Sequence, residues 1–310
     1  MQNANYSLKL ENINEFNNLE IIAKLVVEGF ITGLHQSPFH GFSVEFAEHR
    51  IYNSGESTRH VDWKLYGKTD KLFVKKYEEE TNLRSYILID TSSSMMFPYK
   101  ENKKISKLGF SVVCAASLIQ LLRNQRDAVG LATFNNDIDL HTPSKLSLVH
   151  SKLLFAELQK LISPGFESLK RTTSAAKSLH AIAENTHKRS LIVIFSDMIS
   201  SEQPDEIFSA LQHLRHKNHE VILFNVTDKK LEQDFSFGNR PYRFIDMETG
   251  VEMKLNPNNV RNDYVKAMSN YLQNLKSRCG QYKIDLVEAD INNSFNEVLH
   301  SYLLKRSKLY

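Results

Sequence analysis

The sequence predicts an α/β protein in which a mostly parallel sheet is flanked by helices, together with a small N-terminal β-rich module. After residue 83, short apolar runs alternate with longer segments of helical periodicity, as expected for strands joined by crossover helices. Before that point, short alternating runs are separated by turn residues. A chain of 310 residues is long enough for one large domain with a smaller companion.

We assign residues 1–82 to the N-terminal part, a helix followed by the β-rich module. The helix is predicted over residues 19–34, because Ile22, Val26 and Phe30 recur at helical spacing. Downstream, the runs FSVEF and KLFVKKY show the alternation of half-buried strands.

Residues 83–310 are assigned to the main domain. Its predicted strands cover residues 85–90, 128–134, 190–197, 220–228 and 282–287, and its predicted helices cover residues 105–122, 146–161, 174–184, 204–216, 260–278 and 294–304. A hairpin insertion is predicted near residues 235–257, where Glu248, Thr249 and Gly250 would form the turn.

Charge and composition narrow the possible partners. Lys and Arg number 39 against 36 for Asp and Glu, and both signs are interspersed, so a polyanionic partner such as nucleic acid is not indicated. Only the basic end, residues 305–308, suggests nucleic-acid binding, and no known module accompanies it. We interpret residues 100–107 and 305–308 as solvated helix faces.

The chain is expected to be cytoplasmic. Its start lacks the charged and apolar regions of a signal peptide, and the uncharged stretch at residues 108–122 is too short to span a membrane. Cys114 and Cys279 are its two cysteines, so neither a disulfide framework nor a thiolate metal site is indicated.

Carboxylates and hydroxyls follow two of the predicted strands. Asp90, Ser92 and Ser94 come at the end of the first buried strand, and Asp197 ends the strand that begins at residue 190. Because ligands gather at the carboxyl ends of parallel strands, we expect these groups to meet at one edge of the sheet. An oxygen-only set suits a hard cation, so Mg²⁺ is the expected cofactor, with Mn²⁺ or Ca²⁺ as alternatives. A polar turn that caps the next helix is the structural alternative.

This pattern resembles the metal-ion-dependent adhesion site of von Willebrand factor A domains. The resemblance implies that Ser92, Ser94 and Thr173 coordinate the metal directly, while Asp90 and Asp197 bind directly or through water. It also implies a von Willebrand factor A-type fold and a protein partner that donates a carboxylate to the metal. Thr172 is the alternative to Thr173, which we favour because it leaves Leu179 at the spacing expected for the family.

Residues 33–83 contain an ordered series of residues directly ahead of the first buried strand: Gly41, Glu45, Phe46, Arg50, Tyr52, Gly55, Arg59, Asp62, Trp63 and the stretch at 75–80. This series resembles a bacterial family, domain of unknown function 58. Members are commonly encoded beside MoxR-type AAA+ ATPases, so the resemblance implies an adaptor or co-chaperone of such an ATPase. We interpret Arg50, Arg59, Asp62 and Trp63 as an internal charged and aromatic network that fixes the docking of the small module against the main domain.

The sequence therefore predicts a non-enzymatic, metal-dependent protein-binding module. The alternative is a metal-assisted hydrolase or phosphotransferase that uses Asp90. Against it, the segment after Asp90 lacks the second Asp of haloacid dehalogenase phosphatases, and the chain contains neither a GxSxG elbow nor a phosphate-binding loop.

Overall fold

The computed structural model describes residues 18–35, 49–51, 63–69, 72–75, 84–98, 105–163, 166, 174–199 and 204–307. The chain divides into two compact units, one containing Met1–Ile31 with Leu83–Tyr310 and the other containing Thr32–Asn82. The first helix, which we grouped with the small module, lies for most of its length in the larger unit. There Glu20 accepts a hydrogen bond from Arg123 at 2.9 Å.

The described helices and strands follow one another along the chain in this order: α1 (Leu19–His35), β1 (His49–Ile51), α2 (Trp63–Thr69), β2 (Phe73–Lys75), β3 (Arg84–Asp90), α3 (Lys107–Asn124), β4 (Ala128–Phe134), β5 (Ile138–His141), α4 (Leu148–Leu161), α5 (Ala175–Asn185), β6 (Leu191–Ser196), α6 (Pro204–His216), β7 (Glu220–Thr227), β8 (Tyr242–Ile245), β9 (Glu252–Leu255), α7 (Pro257–Gln281), β10 (Asp285–Asp290) and α8 (Asn296–Ser307).

In the smaller unit, β1 pairs antiparallel with β2, which lies within the predicted strand KLFVKKY. Helix α2 was not predicted, because the periodicity of so short a helix cannot be told from that of a strand. The FSVEF run, Arg59 and Asp62 lie outside the described residues. For Arg50 and Trp63 the structure describes only the backbone, in β1 and α2, so their proposed network stays a prediction.

The larger unit is built on a six-stranded sheet with the order β10-β7-β6-β3-β4-β5. All neighbouring pairs are parallel except β4 with β5, which are antiparallel. Counted along the chain, this is the doubly wound order 3-2-1-4-5-6 read from the opposite edge. The predicted α/β class, with a mostly parallel sheet flanked by helices, is confirmed.

Helices cover both faces of this sheet. On one face, α5, α6 and α7 bury a cluster that includes Leu88, Ile194 and Leu223 from the central strands. On the other face lies α3, which contacts β3, β4, β7 and α8 and is buried over most of its length. The central strands are therefore buried on both sides, as their continuous apolar sequences indicate.

Two strands differ from the prediction. Strand β5, which carries only partly buried or exposed residues at the sheet edge, was missed because four residues, IDLH, are too few for their alternation to indicate a strand. Strand β10 begins at Asp285 rather than at residue 282. Helix α7 continues to Gln281, and the amide of Ile284 then closes the helix end on the carbonyl of Cys279 at 2.9 Å.

The predicted hairpin insertion is present as β8 and β9. Gly250 adopts a φ of 76° in its turn, a conformation that glycine adopts without steric cost. The Asp246 carboxylate orders the turn by accepting a hydrogen bond from the Thr249 hydroxyl at 2.6 Å.

None of the described helices combines the length and the apolar character that crossing a bilayer requires.

Candidate metal centre at the carboxyl edge of the sheet

The sheet brings two predicted site residues to one place. Asp90 is the last residue of β3, and Asp197 directly follows β6, the parallel neighbour of β3. From β3 the chain continues to β4 and β5 on one side, and then returns to the other side of β3 to form β6, β7 and β10. The direction in which strands are added therefore reverses between β3 and β6. In doubly wound folds, ligands bind at this crevice.

Asp90 is held in one orientation by two hydrogen bonds. Its Oδ1 accepts from the backbone amide of Ser92 at 2.9 Å, and its Oδ2 accepts from the Ser196 hydroxyl at 2.6 Å. The residue is 1% exposed. Burial, and then the negative charge of Asp197, raise the pKa of Asp90 to about 7, and the hydrogen bonds from Ser196 and Ser92 offset part of this rise.

The two predicted serine ligands lie side by side. Ser92 Oγ and Ser94 Oγ are hydrogen-bonded to each other at 3.0 Å, at the beginning of the short 3-10 turn Ser93–Met96. Two ligands on adjacent corners of an octahedron, with bonds of about 2.1 Å, are also about 3.0 Å apart. The pair therefore fits two neighbouring positions around Mg²⁺, and its neutral oxygens suit a hard cation.

Asp197 already has partners on both of its carboxylate oxygens. Oδ1 accepts from the amide of Ile199 at 3.0 Å, and Oδ2 accepts from the Lys107 ammonium group at 2.7 Å. The Lys107 and Asp197 side chains are 1% and 0% exposed. Direct coordination by Asp197 would therefore compete with an existing buried ion pair.

Glu232 is a second carboxylate partner of Lys107. Its Oε1 lies 2.6 Å from Lys107 Nζ, and its Oε2 accepts from the amide of Asp228 at 2.8 Å. Glu232 belongs to the π-helical turn Lys229–Gln233, which directly follows β7 and Asp228. Burial raises the pKa of Glu232, and the charge of Lys107 offsets part of this shift.

The Lys107 ammonium remains charged in this setting. Burial by itself lowers its pKa, but the charges of Asp197 and Glu232 reverse that effect and leave the pKa above its ordinary value. The site thus contains a permanent positive charge between two carboxylates.

A row of polar side chains crosses the sheet beside these groups. Ser196 pairs in register with Asn225 on β7, and the Ser196 hydroxyl also reaches Asp90 on β3. The Asn225 side chain is buried, and neither its Oδ1 nor its Nδ2 has a hydrogen-bond partner among the described residues. Because such groups cost free energy when unpaired, this row suits a hydrated cation better than an apolar ligand.

Thr172 and Thr173 lie outside the described residues, so their role stays a prediction. The nearby helix α5 begins at Ala175, one residue after Ser174, close to the predicted start. The structure thus brings Asp90, Ser92, Ser94 and Asp197 to one edge of the sheet.

Sequence reasoning missed Lys107 and Glu232, and the interpretation of residue 107 as part of a solvated face was wrong. One signal was available. Ser106 caps α3 by accepting from the amide of Gly109 at 3.1 Å, which makes Lys107 the first residue of a helix. The helix dipole disfavours a cation at that position, so a lysine there is stabilised by carboxylates nearby. No comparable local signal identifies Glu232.

The fold and the site define a Rossmann-type α/β domain with a cluster of carboxylates and hydroxyls at its switch point. The chain belongs to the family described as "Protein of unknown function DUF58", whose model matches residues 48–273. This confirms the family membership predicted from the N-terminal signature.

Relatives and solved structures are similar over most of the chain. The uncharacterized protein Rv1480 of Mycobacterium tuberculosis is 23% identical over 251 residues, which cover 80% of this chain and 75% of that protein. The crystal structure of BatB from Bacteroides thetaiotaomicron has a TM-score of 0.42 and 15% identity, covering 73% of this chain and 99% of that one. The SpRpn10 VWA domain has a TM-score of 0.38 and 11% identity, covering 71% of this chain and 94% of that one.

Proposed function

We propose that this protein is a divalent-metal-dependent protein-binding module. The observation that carries the proposal is the pair of serine hydroxyls, 3.0 Å apart, beside the buried Asp90 at the switch point of the sheet. Ser92 and Ser94 would hold Mg²⁺ together with Thr173, and Asp90 and Asp197 would bind directly or through water. The bound cation would act as a Lewis acid that accepts a carboxylate oxygen from a partner protein.

The chain's own residues prepare this site without the metal. Ser196 and the amide of Ser92 fix both oxygens of Asp90, so that carboxylate needs no reorientation when a ligand arrives. Such preorganisation lowers the free-energy cost of binding. Mn²⁺ and Ca²⁺ are alternative occupants because they also prefer oxygen ligands.

Titration calorimetry of the full chain with Mg²⁺ and Mn²⁺ tests this proposal. We expect one site per chain in the wild type and at least a roughly tenfold weaker affinity in Asp90→Ala, since the variant removes a charged group of the site. Ser93→Ala is the matched control, because it removes a buried hydroxyl of the same segment that is not assigned to the site. Equal affinities in wild type and Asp90→Ala would contradict the proposal.

The partner we propose is a MoxR-type AAA+ ATPase, for which the chain would serve as an adaptor or co-chaperone in the cytoplasm. This rests on the family resemblance and on a reducing location, with which the free, buried Cys114 and Cys279 are compatible. Capture of the purified ATPase by the wild type should require Mg²⁺ and should fail with Asp90→Ala. Capture that persists with EDTA and with the variant would contradict a metal-bridged interaction.

We propose binding without turnover. The same purified protein can be assayed with ATP and with a generic phosphoester. Turnover that Asp90→Ala abolishes and Ser93→Ala preserves would replace the proposal with the metal-assisted hydrolase or phosphotransferase.

A further inference from the structure

We propose that Lys107 is an internal cation that competes with the divalent metal for Asp197, and that Glu232 retains Lys107 when the metal binds. This inference rests on the proposed function: Lys107 and Glu232 would set the affinity of the same site for the metal.

The ammonium group of Lys107 lies directly against Asp197. Lys107 Nζ lies 2.7 Å from Asp197 Oδ2, so it occupies the lone-pair side of an oxygen that a cation would need for direct binding. The side chain is 1% exposed, which keeps this contact from being screened by water. A metal that binds Asp197 directly must displace the ammonium or share the oxygen with it.

If a metal displaces Lys107 from Asp197, the ammonium group needs another carboxylate. A buried lysine without a counter-charge is strongly unfavourable, and Lys107 also begins a helix, where the dipole repels it. Glu232 Oε1 also lies 2.6 Å from Nζ, and Glu232 is itself fixed by the amide of Asp228. The ammonium can therefore release Asp197 and keep one carboxylate.

The ion pair between Lys107 and Asp197 lowers the affinity of the site for a divalent metal. With Lys107 present, a dication enters a site in which Asp197 is already neutralised, and two positive charges lie close together in a region of low effective dielectric constant. Metal binding is therefore weakened. When the metal binds, Lys107 loses its ion pair with Asp197 and keeps only its ion pair with Glu232. Occupancy of the metal site is thereby coupled to the turn Lys229–Gln233 after β7.

Two substitutions should change the affinity for Mn²⁺ in opposite directions. Lys107→Met removes the ammonium and keeps an apolar stem of similar length, so Mn²⁺ should bind at least about tenfold more tightly. Glu232→Gln leaves Lys107 without a carboxylate once the metal takes Asp197, so Mn²⁺ should bind at least about threefold more weakly. The opposite signs separate a competitor from a residue that merely stabilises the fold.

The experiment is Mn²⁺ titration of the full chain by calorimetry, with thermal unfolding in parallel. Without metal, Lys107→Met should unfold at a lower temperature than wild type, because two buried carboxylates lose their partner. Mn²⁺ should then raise its Tm by more than it raises that of the wild type. If Lys107→Met does not fold, the sign of the Glu232→Gln effect decides.

The outcomes distinguish this inference from the proposed function. Tighter binding by Lys107→Met with weaker binding by Glu232→Gln supports the inference. Suppose that the wild type binds Mn²⁺. Unchanged or weaker binding by Lys107→Met then overturns the inference, and so does unchanged or tighter binding by Glu232→Gln. Either result still supports the metal site. Binding by Lys107→Met alone supports the inference and overturns metal dependence of the wild type. Absence of binding in all three proteins overturns both.

Discussion

Two residues of usually exposed types lie in the interior of this protein. Lys107 and His219 are both fully buried, although lysine and histidine are usually found at the surface. Each is tolerated because specific partners replace water. For Lys107 those partners are two carboxylates, and for His219 they are a backbone amide and a hydroxyl.

His219 should make the stability of the protein depend on pH. Its Nδ1 accepts from the amide of Ser190 at 3.3 Å, so a proton on that nitrogen would face another donor. Burial lowers the pKa of His219 below its ordinary 6.5. The unfolded chain therefore takes up the proton first as the pH falls. The stability contributed by His219 is fully present above pH 6.5 and is lost as the pH falls toward the lowered pKa.

The measurement is urea unfolding of wild type and His219→Asn between about pH 5 and about pH 8, where histidines titrate. The asparagine amide oxygen can still accept from Ser190, but the side chain does not titrate. We expect the wild type to lose up to about 1.4 kcal/mol per pH unit relative to the variant within the titration window. A difference in unfolding free energy that stays constant with pH would contradict the assignment.

At the scale of single elements, the neighbours of strand β4 come so close at Gly130 that they leave no room for a side chain. A Cβ added at Gly130 would lie 2.7 Å from two ring carbons of Tyr86 on β3 and 2.9 Å from the carbonyl oxygen of Thr142. The backbone oxygen cannot rotate away, so the strand must shift. Gly130 is thus required by packing in the sheet, whereas Gly250 in the hairpin is favoured by its positive φ.

Gly130→Ala should destabilise the protein by about 1–3 kcal/mol through overpacking. Gly29→Ala is the matched control, because Gly29 lies in the exposed face of α1 and a Cβ there meets nothing within 4 Å. The control should gain about 0.5–1 kcal/mol, since alanine loses less conformational freedom than glycine in a helix. Chemical denaturation of both variants measures the two effects, and equal stabilities would refute the steric argument.

At the scale of the whole molecule, the larger unit has cores on both faces of one sheet. Cys279 belongs to the cluster beneath α5, α6 and α7, and Cys114 lies in α3 on the opposite face. Both are fully buried. Burial raises the pKa of Cys279 to about 12 and that of Cys114 well above its ordinary value, so neither forms a reactive thiolate in the folded state.

The reactivity of the two thiols should therefore show whether the cores on the two faces of the sheet unfold together. We expect neither cysteine of the native full chain to react with a thiol reagent at neutral pH. In partly denaturing urea, both should be labelled at the same rate, because the central strands are shared by the two cores. Mass spectrometry of labelled peptides gives the rate for each thiol, and much faster labelling of either one would show that its face opens independently.

Much of the larger unit could be predicted from the sequence because its signals are local. Strands β3, β4, β6 and β7 are continuous apolar runs, and helices such as α6 carry strong periodicity. Elements with weak local signals were missed or misplaced: the four-residue edge strand β5, the short helix α2 and the start of β10. In each case the position was decided by packing or by the closing of a helix end.

The sequence by itself determined the α/β class, the family and the presence of Asp90, Ser92, Ser94 and Asp197 at strand ends. Those features depend on composition, periodicity and the order of residues along the chain. Only the tertiary structure decided that Lys107 and Glu232 join them. Lys107 lies 90 residues before Asp197 and 125 before Glu232, and an ion pair between side chains so far apart has no local signature. The buried charge at the site is a property of the folded sheet, because burial and partner exist only once β6 and β7 place their carboxylates beside the start of α3.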